Sequence, residues 1–479
     1  MLKTLFHNGK ADGLVLGTTG RLGFLPRFRI SEQVRQFHMY VVGLTGRGKS
    51  KFLQNCIVQD AMAGRGCAVI DPHGDLAKAV LKSLIAKGFF EAESALDRIL
   101  YVSPRRRDRI IPFNVLARPD ATTETYEICQ RVIAAFMRTW SRTLMEPPRF
   151  QQIMRSSLAT LVETKGTLPD LYALLTNDDF REQRLAAIPE GKVRQDVNAF
   201  FENEFNRWGR ERPRMISSTT NKVSALIENP SIYYMLSQQE NRIHIRNIMD
   251  EGKILLIDLG DCDDETKRLF GTLMVTGFEQ AALSRARVGQ SSRRPYYLYV
   301  DEFQDFACHP GAAETFSQML SQVRKFGLHM ILANQSIAQL NQGLQTALMN
   351  AQTLVSFRIS RADADALSRV LGEVDIEAVK HEIKTSSQHP LYSPMHEQWE
   401  SFIQHLTTLK VRQAIVKSAD DRLASIYAEK IRQLPDDMDE KLEDIISKLL
   451  HRTGISNQLV YQAQPTAEVK PRLNTLFAY

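Results

Sequence analysis

Gly43, Gly48, Lys49 and Ser50 stand in the order G-x-x-x-x-G-K-S within the stretch VGLTGRGKS. Those residue types at that spacing can bind a polyphosphate. Glycines at 43, 46 and 48 let the backbone turn tightly, so that successive N–H groups point at one anion. A helix starting at the loop adds the partial positive charge of its N-terminus. Lys49 can reach the β- and γ-phosphates, and the Ser50 hydroxyl can take a place on Mg2+. Thr45, Gly46, Arg47 and Lys51 complete the candidate binding segment.

A second set separates hydrolysis from binding alone. YYLYVDEFQDF places Asp301 and Glu302 at the end of an apolar run. The first carboxylate can hold hydrated Mg2+, and the second can orient and deprotonate an attacking water. Small GTPases position that water with a glutamine from a mobile segment and read guanine with N-K-x-D, a motif this chain lacks. Nucleotide kinases need an acceptor site and lids, which the sequence does not advertise. LHMILANQS ends in Gln335 one crossover after the acidic pair. Gln335 can sense the γ-phosphate there, or face water at a plain strand end. Arg324, in SQVRKFG, has two open readings: an arginine finger reaching into a neighbouring subunit's site, or a surface arginine near a helix C-terminus. AVIDPHGDL offers Asp71, His73 and Asp75 as lining for the site or a subunit contact, while Pro72 and Gly74 equally suit a turn.

The elements that must position these residues are short apolar runs alternating with helical segments. HMYVVG, CAVID and RILYVSP form one block, and KILLIDLG, YYLYVDE, LHMILANQ and TLVSFRIS form another. Continuous apolar strands joined by helical crossovers predict an α/β fold with a mostly parallel sheet covered on both faces. Ligands then sit at the carboxyl ends of the strands. Between the blocks the strand signal disappears, and EICQRVIAAFMRTW and DVNAFFENEFNRWG show the spacing of amphipathic helices. The expected division is an N-terminal segment 1–37, a first motor part 38–117, an all-α insertion 118–250, a second motor part 251–430, and a C-terminal helix and tail 431–479. In that last part Met438, Leu442, Ile445 and Leu449 share one predicted helical face.

Bulk properties set limits. The chain has 479 residues, 43% hydrophobic and 24% charged, with a mean hydropathy of −0.27. That is a soluble globular chain of more than one structural unit. The sequence holds no run of eighteen apolar residues and no signal peptide, so no intrinsic membrane span is expected. Five scattered cysteines without CxxC spacing argue against a disulfide framework or zinc site and for a reducing cytoplasm. A net charge of +6 suits nucleic acid and an ordinary cytosolic enzyme alike. RRRDR, residues 105 to 109, is the dense basic cluster, in a segment that reads as a loop.

The ordered set GLTGRGKS, VIDPHGD, ILLIDLG, YVDEFQDF and RKFGLHMILANQ resembles the HerA–FtsK superfamily of ring-forming P-loop ATPases. Within it the resemblance is to the cytoplasmic motor of type IV secretion coupling proteins of the TraD/TraG kind. That resemblance implies a RecA-like motor domain interrupted by an all-α domain, with ATP and Mg2+ as cofactors. It assigns the nucleotide to Gly43, Thr45, Gly46, Gly48, Lys49 and Ser50, and magnesium to Ser50 and Asp301. Water activation falls to Glu302 and γ-phosphate sensing to Gln335, with Arg324 at the family's arginine-finger spacing. It further implies a hexamer threading DNA, in conjugative or mobile-element transfer or in DNA handling for defence, with a secretion channel, a relaxase or an effector protein as a candidate partner. Coupling proteins usually carry N-terminal transmembrane helices. Here the segment before the first motor strand is short and mixed in polarity, so a cytoplasmic protein recruited to the inner membrane by a partner is expected. Two other readings stay open: a nucleotide-gated partner that holds or activates an effector, and an ATPase for protein secretion.

Overall fold

The computed structural model describes residues 13–456, apart from 20–25, 105, 107, 120–121, 141–146, 261, 308–309, 350, 373–378, 382–390, 393 and 432–436. The C-terminal tail, Arg105, Arg107 and Cys308 lie outside the described residues.

Among the described residues eleven strands form the main sheet. In chain order they are β1 (Leu14–Thr18), β2 (Arg27–Ile30), β3 (Met39–Val42), β4 (Gly66–Asp71) and β5 (Ile99–Val102). After the long helical block come β6 (Ile254–Asp258), β7 (Tyr296–Val300), β8 (Leu328–Asn334) and β9 (Thr353–Ser356), then β10 (Gln413–Lys417) and β11 (Leu423–Tyr427). Their order in space is β2-β1-β11-β10-β9-β3-β8-β7-β4-β6-β5. From β9 to β5 every neighbouring pair is parallel. The sequence explains why: β4 and β8 are buried at every position, which needs helices on both faces.

The other edge differs from the sequence reading. HMYVVG is not the first strand of the sheet, because β1 and β2 precede it in the chain and join the same sheet. Together with β10 and β11 they form an antiparallel extension. β1 is locked to the helix Lys49–Met62 by Gln59, whose side-chain amide bonds the Val15 N–H and C=O at 3.0 and 2.9 Å.

Between β5 and β6 the described elements are helices, apart from the short strand Arg109–Ile110. The chain enters and leaves this block side by side: Phe113 donates to the Met235 carbonyl at 2.8 Å, and Arg242 to that of Pro112 at 2.9 Å. Its helix Thr125–Trp140 sits on the long helix Asp264–Leu283, which Asp263 caps by accepting from Thr266 N–H. Arg138 ties the two together, donating to Thr276 Oγ1 and Glu279 Oε2 at 2.7 and 2.9 Å. Phe200, Phe201, Phe205 and Trp208 pack as one aromatic cluster where a π-helical turn meets a kink at Gly209.

The C-terminal helix Met438–Thr453 folds back onto the helix Asp75–Ala86 and β5. Its buried stripe is Met438, Leu442, Ile446, Leu449 and Leu450. Ile445, expected on this face, is half-buried against the same core, and Ile446 and Leu450 widen the stripe because the i, i+4 series from Leu442 lands on them. The basic cluster serves this docking: Arg106 pairs with Glu443 at 2.8 Å, and Arg109 donates to the Gly454 carbonyl at 3.1 Å.

Candidate active site

β3 runs between β8 and β9 and ends at Val42, so its next residues emerge among the carboxyl ends of parallel neighbours. Gly43 N–H donates to the Asn334 carbonyl at 3.3 Å and Leu44 N–H to that of Arg358 at 2.8 Å. A Cβ on Gly43 would stand 2.6 Å from Phe357 Cβ, so the loop needs glycine to leave the sheet here. Gly48 takes φ 114 at the N-cap of Lys49–Met62. Lys49 is only 5% exposed and donates to the Gly43 carbonyl at 2.6 Å. Burial lowers its pKa, opposed by the charges of Glu302 and Asp301. Thr45, Gly46, Ser50 and Lys51 are exposed and Arg47 half-buried; Lys51 donates to Gln54 Oε1 at 3.1 Å.

Two strands away, β7 delivers Asp301 and Glu302 to the same rim. Ser50 Oγ donates to Asp301 Oδ2 at 3.3 Å, and Glu302 N–H donates to Asp301 Oδ1 at 3.0 Å. Burial pushes the Asp301 carboxyl up to about 6, with the charges of Glu302 and Asp71 adding to the shift. Glu302 holds φ 42, an uncommon conformation for a residue with a side chain. Its Oε1 lies 3.9 Å from Lys49 Nζ.

The strand between β3 and β7 supplies the link. Gln335, just past β8, accepts from Thr45 Oγ1 at 2.9 Å and donates to Glu302 Oε1 at 3.1 Å. Asn334 beside it is buried, accepting from Tyr40 OH at 2.7 Å and donating to the Ser336 carbonyl at 2.8 Å. A glutamine that faced only water would make neither of the Gln335 bonds.

Arg324 is not brought to this rim. It lies exposed before β8 with its guanidinium 4.5 Å from the Phe37 ring, at the amino end of the strands. The seven residues of β8 put about 20 Å between that end and Gln335. Asp71 and Gly74 build the turn that the sequence allowed. Asp71 accepts from the His73 and Ala77 N–H groups at 3.0 and 2.9 Å, and a Cβ on Gly74 would overlap the Asp258 carboxylate. Asp75 nonetheless borders the cleft described next.

A cleft of about 760 Å³ opens beside the loop. One wall is the helix Asp75–Ala86 with Lys78 and Lys82, and the other is Val411, Arg412 and Glu429 to Ile431. Sequence reading passed over the second wall. Arg412 reaches it at φ 69, its N–H donating to the Arg47 carbonyl at 2.9 Å, and no glycine or motif marks the position. Gln304 was missed as well; its Nε2 donates to Glu302 Oε2 at 2.8 Å.

Residues 24–408 match the family model of the type IV secretion-system coupling protein DNA-binding domain. The chain belongs to that family. The plasmid coupling protein TrwB, solved in complex with the non-hydrolysable GTP analogue GDPNP, has a coupling-protein fold like this one. Its TM-score is 0.59 at 17% identity, over 85% of this chain and 89% of that chain. TrwB in complex with ADP and Mg2+ gives 0.55 at 17% identity, over the same shares. VirB4 of Thermoanaerobacter pseudethanolicus gives 0.54 at 15% identity, over 88% of this chain and 97% of that one. These likenesses establish the RecA-like fold with its helical insertion. Among curated proteins none matches this coupling-protein chain. Among the described residues no helix is long and apolar enough to cross a membrane.

Proposed function

We propose that this coupling-protein chain is a Mg2+-dependent ATPase that assembles as a ring, a hexamer, and drives DNA through a secretion apparatus at the inner membrane, where a partner holds it. The observation that carries the hydrolytic part is the hydrogen-bonded path Thr45–Gln335–Glu302, which joins the phosphate loop to the acidic strand end. TrwB's complexes with GDPNP and with ADP and Mg2+ support a nucleotide and a divalent cation here.

In this reading the loop N–H groups from Thr45 to Ser50 take the phosphates, and Lys49 exchanges the Gly43 carbonyl for phosphate oxygen. Ser50 and Asp301 would hold Mg2+, and their all-oxygen donor set suits that hard cation. Burial and the neighbouring Glu302 and Asp71 disfavour the Asp301 charge, so a cation there relieves an existing electrostatic cost. When bound, Mg2+ neutralises charge on the phosphates. Glu302 orients the attacking water and accepts its proton, while Gln335 reports the state of the γ-phosphate to Thr45. Arg324, far from its own rim, serves a neighbouring subunit's site. DNA is gripped through its phosphate backbone, a sequence-independent and salt-sensitive contact.

The test is ATP hydrolysis by the purified chain at moderate salt, alone and with single- or double-stranded DNA, beside Lys49→Ala and Glu302→Gln. A several-fold rise with DNA and two inactive variants support the proposal. Hydrolysis indifferent to DNA removes the translocase part. A wild type that does not hydrolyse ATP removes the enzymatic part.

A further inference from the structure

Both oxygens of Glu302 are held, and by different amides. Gln335 donates to Oε1 at 3.1 Å from the end of β8, and Gln304 donates to Oε2 at 2.8 Å from the start of the short helix Gln304–Ala307. A carboxylate only accepts, so the Gln304 nitrogen must face it and its carbonyl oxygen must face away. That carbonyl oxygen, Gln304 Oε1, is buried with no hydrogen-bond partner among the described residues. Leaving a buried acceptor unpaired costs free energy, so the side chain is held in this pose by its bond to Glu302 and against its own satisfaction. The backbone adds to the constraint. Glu302 sits at φ 42, Phe303 N–H donates to the Ala333 carbonyl at 3.0 Å, and Asp305 N–H donates to that of Glu302 at 3.0 Å. The turn is therefore pinned to β8 at Phe303, while the carboxylate it presents is aimed by two side chains.

The two amides differ in what they follow. Gln335 is also bound to Thr45 of the phosphate loop, so its position answers to whatever occupies that loop. Gln304 has no such second bond and belongs to the same turn as Glu302. We infer that Gln304 is the positioning residue for Glu302, the fixed anchor that keeps the carboxylate aimed when Gln335 shifts between Thr45 and the nucleotide. The inference rests on the hydrolase reading above, and it gives the glutamine of YVDEFQDF a role in turnover without one in binding.

Gln304→Met keeps the length of the side chain and removes both the donor to Glu302 and the unpaired carbonyl. Steady-state ATP hydrolysis should show kcat lowered about tenfold to a hundredfold, part of the 10²–10⁴ that a positioned base contributes. KM should stay within about twofold, and the thermal midpoint should hold or rise because an orphaned acceptor has gone. Gln304→His, which keeps an N–H at similar reach, should recover much of the kcat. A Gln304→Met enzyme with wild-type kcat overturns the inference while leaving the hydrolase reading intact. A lowered midpoint with kcat and KM changed together, and no recovery by Gln304→His, marks a merely structural residue and overturns it as well. A wild type inactive beside Glu302→Gln overturns the hydrolase reading, and the inference with it.

Discussion

Gln335 donates to Glu302 across 3.1 Å, from the end of one parallel strand to the end of the next. The bond is made because β8 lies between β3 and β7, so the residue following it stands between the phosphate loop and the acidic pair. Replacing Gln335 with leucine should leave nucleotide binding near wild type and lower kcat by about a hundredfold, within the range of a positioned base. Fluorescent-nucleotide titration beside steady-state kinetics checks the split. Equal losses in affinity and turnover would show that Gln335 holds the loop and not the carboxylate.

Lys49 is buried with a single carbonyl acceptor, and burial disfavours its charge. Lys49→Met should abolish hydrolysis and weaken nucleotide binding by at least about tenfold, the loss of one charge-assisted contact. It should change the thermal midpoint of the nucleotide-free chain little, since removal of a desolvated charge is offset by the loss of the cation beside Glu302 and Asp301. A midpoint several degrees lower would contradict this account.

His38 and His329 are buried at the opposite rim, and both are held neutral. Burial lowers His38 to about 4, with the Arg324 charge adding to the shift, and lowers His329 to about 3, with the His38 charge adding. His38 Nδ1 accepts from Met330 N–H at 2.9 Å, which fixes its tautomer. Below pH 6.5 the unfolded chain takes up protons that the folded one refuses, so stability falls as pH drops from 6.5 towards 4. The slope is about 1.4 kcal/mol per pH unit for each histidine. The Asp301 carboxyl, raised to about 6, opposes part of this, so in urea unfolding the fold should be a few kcal/mol more stable at pH 7 than at pH 5. His38→Asn keeps an acceptor for Met330 and should remove one histidine's share of the dependence.

Gly74 adopts φ 79 against the Asp258 carboxylate, which itself accepts from Tyr101 OH at 2.6 Å and from Gly260 N–H at 2.9 Å. Gly74→Ala must strain the turn and displace that buried acid. A loss of about 2–4 kcal/mol is expected from backbone strain plus a disturbed buried network. Chemical denaturation of the variant measures it, and a loss below about 0.5 kcal/mol would show that Asp258 moves aside freely.

The sequence makes the middle of this protein readable because its signals are local. GLTGRGKS needs glycines for its backbone, and the strands of the parallel half are mostly apolar and buried at every position. The antiparallel extension sends weaker signals. LASIY exposes or half-exposes four of its five residues, and QAIVK is a five-residue run that a helix could also use. Arg412 joins the loop through its backbone N–H, a contact blind to residue type. Gln304 is legible only once the turn at Glu302 is known, because nothing in the composition of EFQDF says which way its amide points. Ile445 packs where its spacing puts it, and Ile446 and Leu450 join it because a stripe of apolar residues at 3.6 per turn drifts around the helix.

The placement of β3 bears on how the protein is made. The strand that feeds the phosphate loop has β8 on one side and β9 on the other, and its first Cα partners there are Ile331 and Thr353, against its own Met39. A chain emerging from the ribosome N-terminus first exposes β3 with neither edge paired until roughly three hundred further residues have been synthesised. Arg412, which braces the loop, arrives later still. The nucleotide site is therefore among the last parts of the molecule that can assemble, and contacts of such long sequence separation form slowly. Through most of its synthesis this chain carries an open, apolar strand edge, and premature termination anywhere before β9 leaves a product that exposes that edge for good.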